Sequence, residues 1–317
     1  MKTNQFVALV AVAETGSIRA AAKSVGLTQA AITRTLRELE LQQGVELLER
    51  THTGVRFTDA GKSLLHHARL ILSEIEKANA DLALIRSGQV ERLRIGLTPT
   101  INFAFLPECL SLFQAQYPNV QLEIYEGLHG ISLPHLRDGY LDFAIIQASR
   151  FISENEFSIE PLLSYQSHVV GRKGHPQRDA TSIDTLNSMR WLANFPAAWH
   201  INFIKELHRD FRVSPQPSHI VSIQSAGLLF PLLAQTDYLT VLPGVLLKAP
   251  SFASIVEPFS AFKSSTSRIF GIAARRGNVR SKAASAFIDI LKQVIKQHAR
   301  NAQSPYADAL RPTDLFF

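Results

Sequence analysis

Thr15-Gly16-Ser17-Ile18-Arg19-Ala20-Ala21-Ala22-Lys23-Ser24-Val25-Gly26-Leu27-Thr28-Gln29-Ala30-Ala31-Ile32-Thr33-Arg34-Thr35-Leu36-Arg37-Glu38-Leu39-Glu40 is the stretch whose reading decides the fold. Its Ala-rich half, Ile18 to Lys23, is a short helix that a second helix can cross closely, and Gly26 supplies the permissive backbone of a sharp turn. Leu27 turns inward in this reading. Thr28 is an N-cap, its hydroxyl placed to accept from first-turn amides. Ile32, Leu36 and Leu39 recur at helical spacing and face a core. Gln29, Ala30, Thr33, Arg34 and Arg37 are left outward, where a DNA-reading helix carries its contacts. An Ala-rich helical hairpin also occurs in proteins with no nucleic-acid role, so the neighbouring sequence has to decide.

Upstream, Phe6 to Ala13 is a helix with Phe6, Leu9, Val10 and Ala13 on one side. Downstream, Leu47-Leu48-Glu49-Arg50-Thr51-His52-Thr53-Gly54-Val55-Arg56-Phe57-Thr58 reads as a hairpin turned at Gly54. Together these make a winged helix-turn-helix over residues 1–58. Its DNA-contact set is Ser17, Thr28, Gln29, Ala30, Thr33, Arg34 and Arg37, with Arg50, His52 and Arg56 on the wing to grip phosphate or enter a minor groove.

The chain of 317 residues is 46% hydrophobic and 19% charged, enough for two or three domains, each with its own core. Its formal charge is +6. Residues 1–70 hold net +3 and the remaining 247 residues only as much again, so positive charge is denser where the DNA motif lies. One cysteine, Cys109, excludes an intrachain disulfide or a Cys-rich metal site. No apolar run reaches the roughly 18–20 residues that span a bilayer. Lys2 followed by the apolar run Phe6–Ala13 imitates a short signal peptide, but the same residues serve as the first helix of the DNA module. The expectation is a cytoplasmic protein.

From Asp59 the sequence predicts one long helix, residues 59–87, with Leu64, Ala68, Ile71, Ile75, Ala78, Leu82 and Ile85 spaced alternately by four and three. That seam predicts pairing with a second copy of the helix. An amphipathic helix packed within its own chain is the alternative, because alanine at two seam positions weakens the zipper. Ser87-Gly88-Gln89 marks a domain boundary.

Beyond it, strands alternate with helices: Leu93–Leu97, a helix Phe103–Tyr117, Val120–Tyr125, a helix Leu136–Leu141, then Phe143–Ile146. A second run follows through Ser167–Gly171, Trp191–Ala193, a helix Ile201–Phe211, Ile220–Ser222, Ala226–Ala234 and Tyr238–Leu242. The pattern predicts a mostly parallel sheet in two α/β lobes within residues 88–300. Lobe I takes about 91–163 and 268–298, the last strand and helix returning to it, and lobe II about 164–267. The tail, 301–317, is expected to be irregular. Ligands of open α/β sheets bind beyond strand carboxyl ends. Thr98-Pro99-Thr100, Gln147-Ala148-Ser149, Phe195-Pro196-Ala197 and Ser222-Ile223-Gln224-Ser225 occupy such places, or are ordinary caps and turns. The two threonine hydroxyls would suit an anionic group. No catalytic motif and no metal-ligand spacing is found in the chain, so neither an enzyme activity nor a cofactor is expected.

The order of parts resembles the LysR-type transcriptional regulators over residues 1–298. The specific matches are Gly16-Ser17-Ile18, Ala20-Ala21-Ala22, Leu27-Thr28-Gln29-Ala30-Ala31-Ile32-Thr33, Leu39-Glu40, Leu47-Leu48-Glu49-Arg50 and Phe57-Thr58-Asp59-Ala60-Gly61. Ala30 stands where the family usually has proline, and Leu48 where it usually has phenylalanine. The resemblance implies a multidomain protein: a largely helical winged head, a linker helix, and a two-lobed α/β effector domain similar in plan to type 2 periplasmic binding proteins. It implies a bacterial regulator bound to an imperfect palindrome of double-stranded DNA, a homodimer formed through the linker helix and assembled into a homotetramer, with RNA polymerase as a further partner and no membrane. A small, anionic effector would be held by Thr98, Thr100, Gln147, Phe195, Ser222 and Gln224. The competing reading is a two-lobed solute-binding protein without DNA function.

Overall fold

The computed structural model describes residues 1–51, 54–87, 91–149, 152–310 and 314–317. The chain divides into two compact units, Met1–Gln89 with Arg137–Tyr140, and Val90–Leu136 with Leu141–Phe317.

The amino-terminal unit contains α1 (Thr3–Thr15), α2 (Ile18–Ser24), α3 (Gln29–Gln43), β1 (Leu48–Thr51), β2 (Gly54–Phe57) and α4 (Asp59–Ser87). Apolar spacing builds its core: Phe6, Leu9 and Val12 of α1 meet Ala21 and Ala22 of α2, Ile32, Leu36 and Leu39 of α3, and Leu47. The small Ala21 and Ala22 allow the close crossing. Gly26, at φ 69°, turns the chain between α2 and α3. Leu27 does not turn inward as the sequence predicts; it is 53% exposed. The inward place is taken by Val25, which packs on the core. β1 and β2 pair antiparallel as the wing, Glu49 opposite Arg56.

The helical connector matches residues 59–87, but its seam is divided. Ala68 is fully buried and Leu64 half-buried against the head core of its own chain. Neither is therefore a pairing residue, and the in-chain alternative holds for this first part of the seam. Ile71, Ile75, Ala78 and Leu82 are exposed.

The second unit holds β3 (Arg92–Leu97), α5 (Pro99–Ala104), α6 (Leu106–Gln116), β4 (Gln121–Glu126), α7 (His129–Arg137), β5 (Phe143–Gln147), β6 (Phe157–Arg172), α8 (Ile183–Ser188), β7 (Trp191–Ala193), α9 (His200–Phe211), β8 (Ile220–Ser222), α10 (Ala226–Gln235), β9 (Thr240–Pro243), α11 (Gly244–Leu247), α12 (Pro250–Ala253), β10 (Val256–Arg275), α13 (Lys282–Arg300) and α14 (Ala307–Leu310). Where the sequence predicts one helix from Phe103 there are two, α6 restarting at Phe105 because Pro107 has no amide to continue α5. The helix expected at Leu136–Leu141 lies earlier, as α7, whose first turn is closed by Ile131 and Ser132 amides on the Leu128 carbonyl.

The main sheet has the order β4-β3-β5-β10-β6-β9. Only the β3–β4 and β3–β5 pairs are parallel; β10 runs antiparallel to β5 and β6, and β6 to β9. The sheet is mixed rather than mostly parallel because β6 and β10, 16 and 20 residues long, pass through both lobes and pair with each other. Lobe II completes itself with the parallel β7–β8 pair and a core of Trp191, Phe203, Leu207 and Phe259.

The tail is not irregular. Tyr306, Ala307 and Leu310 are buried, and Leu315 bridges Leu163 of β6. The Ser164 amide donates to the Asp314 carbonyl at 2.9 Å and the Phe316 amide to the Leu162 carbonyl at 3.1 Å. Its aromatic and aliphatic side chains have a place in the core, which the Pro-rich composition of the segment concealed.

Candidate DNA-binding surface and effector cavity

The head presents α3 as one continuous exposed face. Gln29, Ala30, Thr33, Arg34, Arg37, Glu38 and Leu41 line a single open concavity. The predicted contacts divide into two kinds there. Ser17 and Thr28 are helix caps, the Ser17 hydroxyl accepting from the Ala20 amide at 3.1 Å and that of Thr28 from the Ala31 amide at 3.2 Å. Gln29, Arg34 and Arg37 are exposed side chains, and Thr33 is half-buried. Arg34 Nε donates to Glu38 at 2.8 Å, and that hydrogen bond holds its guanidinium charged. Arg56 is exposed on the wing; the Arg50 side chain and all of His52 lie outside the described residues.

One positioning residue was hidden in the sequence. Glu40, at the carboxyl end of α3, accepts the amides of Leu47 and Leu48 at 2.8 and 3.1 Å and so ties the wing to the reading helix. A glutamate in the last turn of a helix opposes the helix dipole, and that misfit is the signal from which a tertiary role is legible.

In the second unit a cavity of about 120 Å³ lies where the lobes face each other. Thr98, Thr100, Gln147 and Phe195 line it, as expected from strand ends. Ser222 and Gln224 do not. Ile223 between them is buried in the core, and the alternation of an extended chain turns its neighbours away. The Ser222 hydroxyl is instead engaged with His200 Nε2, and Gln224 is exposed.

The sequence did not disclose the ionisable lining: His129, Glu206 and Arg268. His129 Nε2–H donates to the Gln147 carbonyl at 2.6 Å, which fixes the tautomer because a carbonyl only accepts. Its ring stacks near Trp199 and Phe195, with centroids 5.5 and 6.2 Å away. Burial pushes its pKa down, against the raising effects of that hydrogen bond and of the Glu206 charge, so the imidazole is neutral near pH 7. Arg268, on β10, donates from Nη1 to Glu206 at 2.9 Å and from Nε to Asp210 at 2.9 Å, with Nη2 also on Asp210. Both carboxylates come from α9, four residues apart on one face. Tyr165, stacked on Phe270 at 4.1 Å, has its phenol pushed up by burial. Ser167, Asn194 and Thr240 complete the polar lining, and Phe203, Leu207, Leu229, Phe230, Leu242 and Phe270 supply most of the apolar wall.

Cys109 is fully buried and its thiol is pushed up to about 12 by burial, which makes it a packing residue. Among the described residues no cluster of metal-ligating side chains occurs, and no helix is long and apolar enough to cross a membrane.

Comparison with known proteins agrees with this division. Residues 3–62 match the model of the bacterial regulatory helix-turn-helix proteins of the lysR family, and residues 86–296 that of the LysR substrate binding domain. The chain is 30% identical over 243 residues to the HTH-type transcriptional regulator TdcA of Escherichia coli K12, covering 76% of this chain and 77% of that one. It is also 30% identical over 213 residues to the HTH-type transcriptional regulator CfxR of Cupriavidus necator, covering 67% and 66% of the two. Full-length OxyR from Pseudomonas aeruginosa shares the fold with a TM-score of 0.59 at 22% identity, over 93% of this chain and 95% of that one. CbnR, a LysR family transcriptional regulator, does so with a TM-score of 0.59 at 19% identity, over 93% and 99%. The chain belongs to the LysR family and is a LysR-type transcriptional regulator, with a helix-turn-helix head and an effector-binding domain.

Proposed function

We propose that the exposed face of α3 enters a major groove, Gln29, Thr33 and Arg34 addressing base edges while Arg37 and the wing residues Arg50, His52 and Arg56 hold phosphates. The observation that carries this reading is the shared surface of Gln29, Ala30, Thr33, Arg34 and Arg37, with no core residue interrupting it. Two heads brought together through the exposed half of α4 read the two halves of an imperfect palindrome, and such dimers assemble into tetramers; the solved complex of full-length CbnR with its target DNA is a precedent at the level of fold. The protein acts in the cytoplasm, by binding and not by catalysis, and a small effector in the cavity changes operator binding or contact with RNA polymerase.

Selection of bound fragments from genomic DNA with the purified protein tests the head. Gln29→Ala and Arg34→Ala each lose about 1–3 kcal/mol of sequence discrimination and leave dimerisation unchanged. Equal affinity of either variant for the selected site would remove α3 from the reading role. Leu229→Trp, which fills the cavity, tests the other half: a reporter driven from the selected site loses its response to host metabolites while the DNA footprint persists.

A further inference from the structure

We propose that the effector carries a protonated amino group, seated against the carboxylate of Glu206, with a compact aliphatic body among Phe203, Leu207, Leu229 and Phe230. This rests on the reading of the cavity as the effector site. It departs from the anionic ligand expected from the sequence, for two reasons of geometry.

The first is that the supposed anion cradle at Thr98–Thr100 has few donors to offer. Pro99 has no amide, the Thr100 amide is taken by the Thr98 hydroxyl at 3.2 Å, and the Asn102 amide by the Thr98 carbonyl at 3.0 Å. The helix that follows is only six residues long.

The second is the charge on the wall. Arg268 is the one cation among the described lining residues, and it is enclosed by two carboxylates. Asp210 is completely buried behind it and takes Nε and Nη2, while Glu206 takes Nη1. Arg209 also reaches Asp210 at 2.8 Å, but from a largely exposed position. A guanidinium doubly compensated in this way attracts no further carboxylate; an incoming anion would meet Glu206 in a poorly hydrated site. Glu206 uses Oε2 for Arg268, and among the described residues no donor reaches Oε1. The field of Glu206 also extends into the cavity, since it acts on His129, which is neutral and brings no compensating charge. A carboxylate with an unused oxygen in a mostly apolar cavity matches an ammonium group, whose charge-assisted hydrogen bond is about twice as strong as a neutral one.

Isothermal titration calorimetry of the full-length protein with three probes of similar shape decides the question: isopentylamine, isopentyl alcohol and isovalerate, with L-leucine as the ligand that carries both charges. Isopentylamine or leucine is expected to bind at least roughly tenfold more tightly than isovalerate. Glu206→Gln, which keeps an acceptor for Arg268 and leaves Asp210 in place, is expected to remove that preference by about the same factor without shifting the melting temperature by more than a few degrees. Isovalerate bound in preference, with affinity unchanged or improved in Glu206→Gln and abolished by Leu229→Trp, overturns the ammonium assignment and leaves the cavity as the effector site. Failure of every probe to bind at millimolar concentration also overturns it. The cavity itself is then judged by the reporter response of Leu229→Trp, which uses none of these probes.

Discussion

Glu40 accepts the amide of Leu47 at 2.8 Å, so the last turns of the reading helix and the entrance to the wing share one carboxylate. Glu40→Ala leaves the Leu47 and Leu48 amides without it and should cost about 1–3 kcal/mol. Thermal unfolding of the head and a footprint at the selected operator check this. Phosphate protection beside the wing is expected to fade before protection under α3, and an unchanged melting temperature would refute the coupling.

Leu47 is constrained from its carbonyl side as well. A Cβ on Gly61 would lie 2.0 Å from the Leu47 carbonyl oxygen, a backbone atom that the Thr58 amide already holds at 3.0 Å. Gly61→Ala therefore destabilises the head by about 1–3 kcal/mol or more, read as a lowered denaturant midpoint, and weakens DNA binding with it.

Ile71, Ile75 and Leu82 are exposed at 40%, 36% and 58% on α4, more apolar surface than a solitary helix leaves in water. Ile75→Asp with Leu82→Asp is expected to raise the dimer dissociation constant by at least about a hundredfold, on the order of 3 kcal/mol. Light scattering across a dilution series measures it. Ala68→Ser is a control that should weaken the head core and leave the dimer alone.

The neutral, buried His129 carries a pH dependence with a definite sign. Its folded pKa lies below the ordinary histidine value of about 6.5 because burial penalises the imidazolium. Between the folded and unfolded values the unfolded chain binds the extra proton. The stabilisation is therefore complete above about pH 6.5 and declines as the pH falls through that value. His129→Phe keeps a ring against Trp199 and should flatten the melting-temperature profile over this range; a profile identical to wild type would show that His129 is not the titrating group.

Leu310 is 2% exposed in the core beside Tyr306. Leu310→Ala should cost about 2–5 kcal/mol of effector-domain stability, measured by urea unfolding, which an unanchored tail would not.

The sequence disclosed the elements whose signals are local. α3 was legible because a cap at Thr28, a core stripe at Ile32, Leu36 and Leu39 and outward polar residues all agree within one segment. Thr98, Thr100 and Gln147 were legible as residues at strand ends. Glu206 and Arg268 were not, since α9 and β10 are brought together only by the pairing of β10 with β6, and a charge on an amphipathic helix reads first as a solvated face. Ser222 and Gln224 went astray over alternation: the same strand end that suggested them turns Ile223 inward. The seam on α4 divided for a related reason. A 3–4 spacing describes a face but not which partner covers it, and the head core covers Leu64 and Ala68 before any second chain can.

The pairing of β6 with β10 gives the effector domain the mechanics of a leaf spring rather than those of a door. Two chain segments cross between the lobes side by side, laddered by hydrogen bonds, with register shifts at Pro258/Lys263, Lys263/Ser267 and Phe270/Gly271 as the compliant points. Deflection of such a ribbon is elastic: it stores a load applied at the cavity wall and returns to one resting twist when the load is removed, without a separate catch. Residues 314–316, bonded to Leu162–Ser164, act as a third leaf clamped to that ribbon, so the carboxyl terminus of the chain sets the stiffness with which occupancy of the cavity is felt.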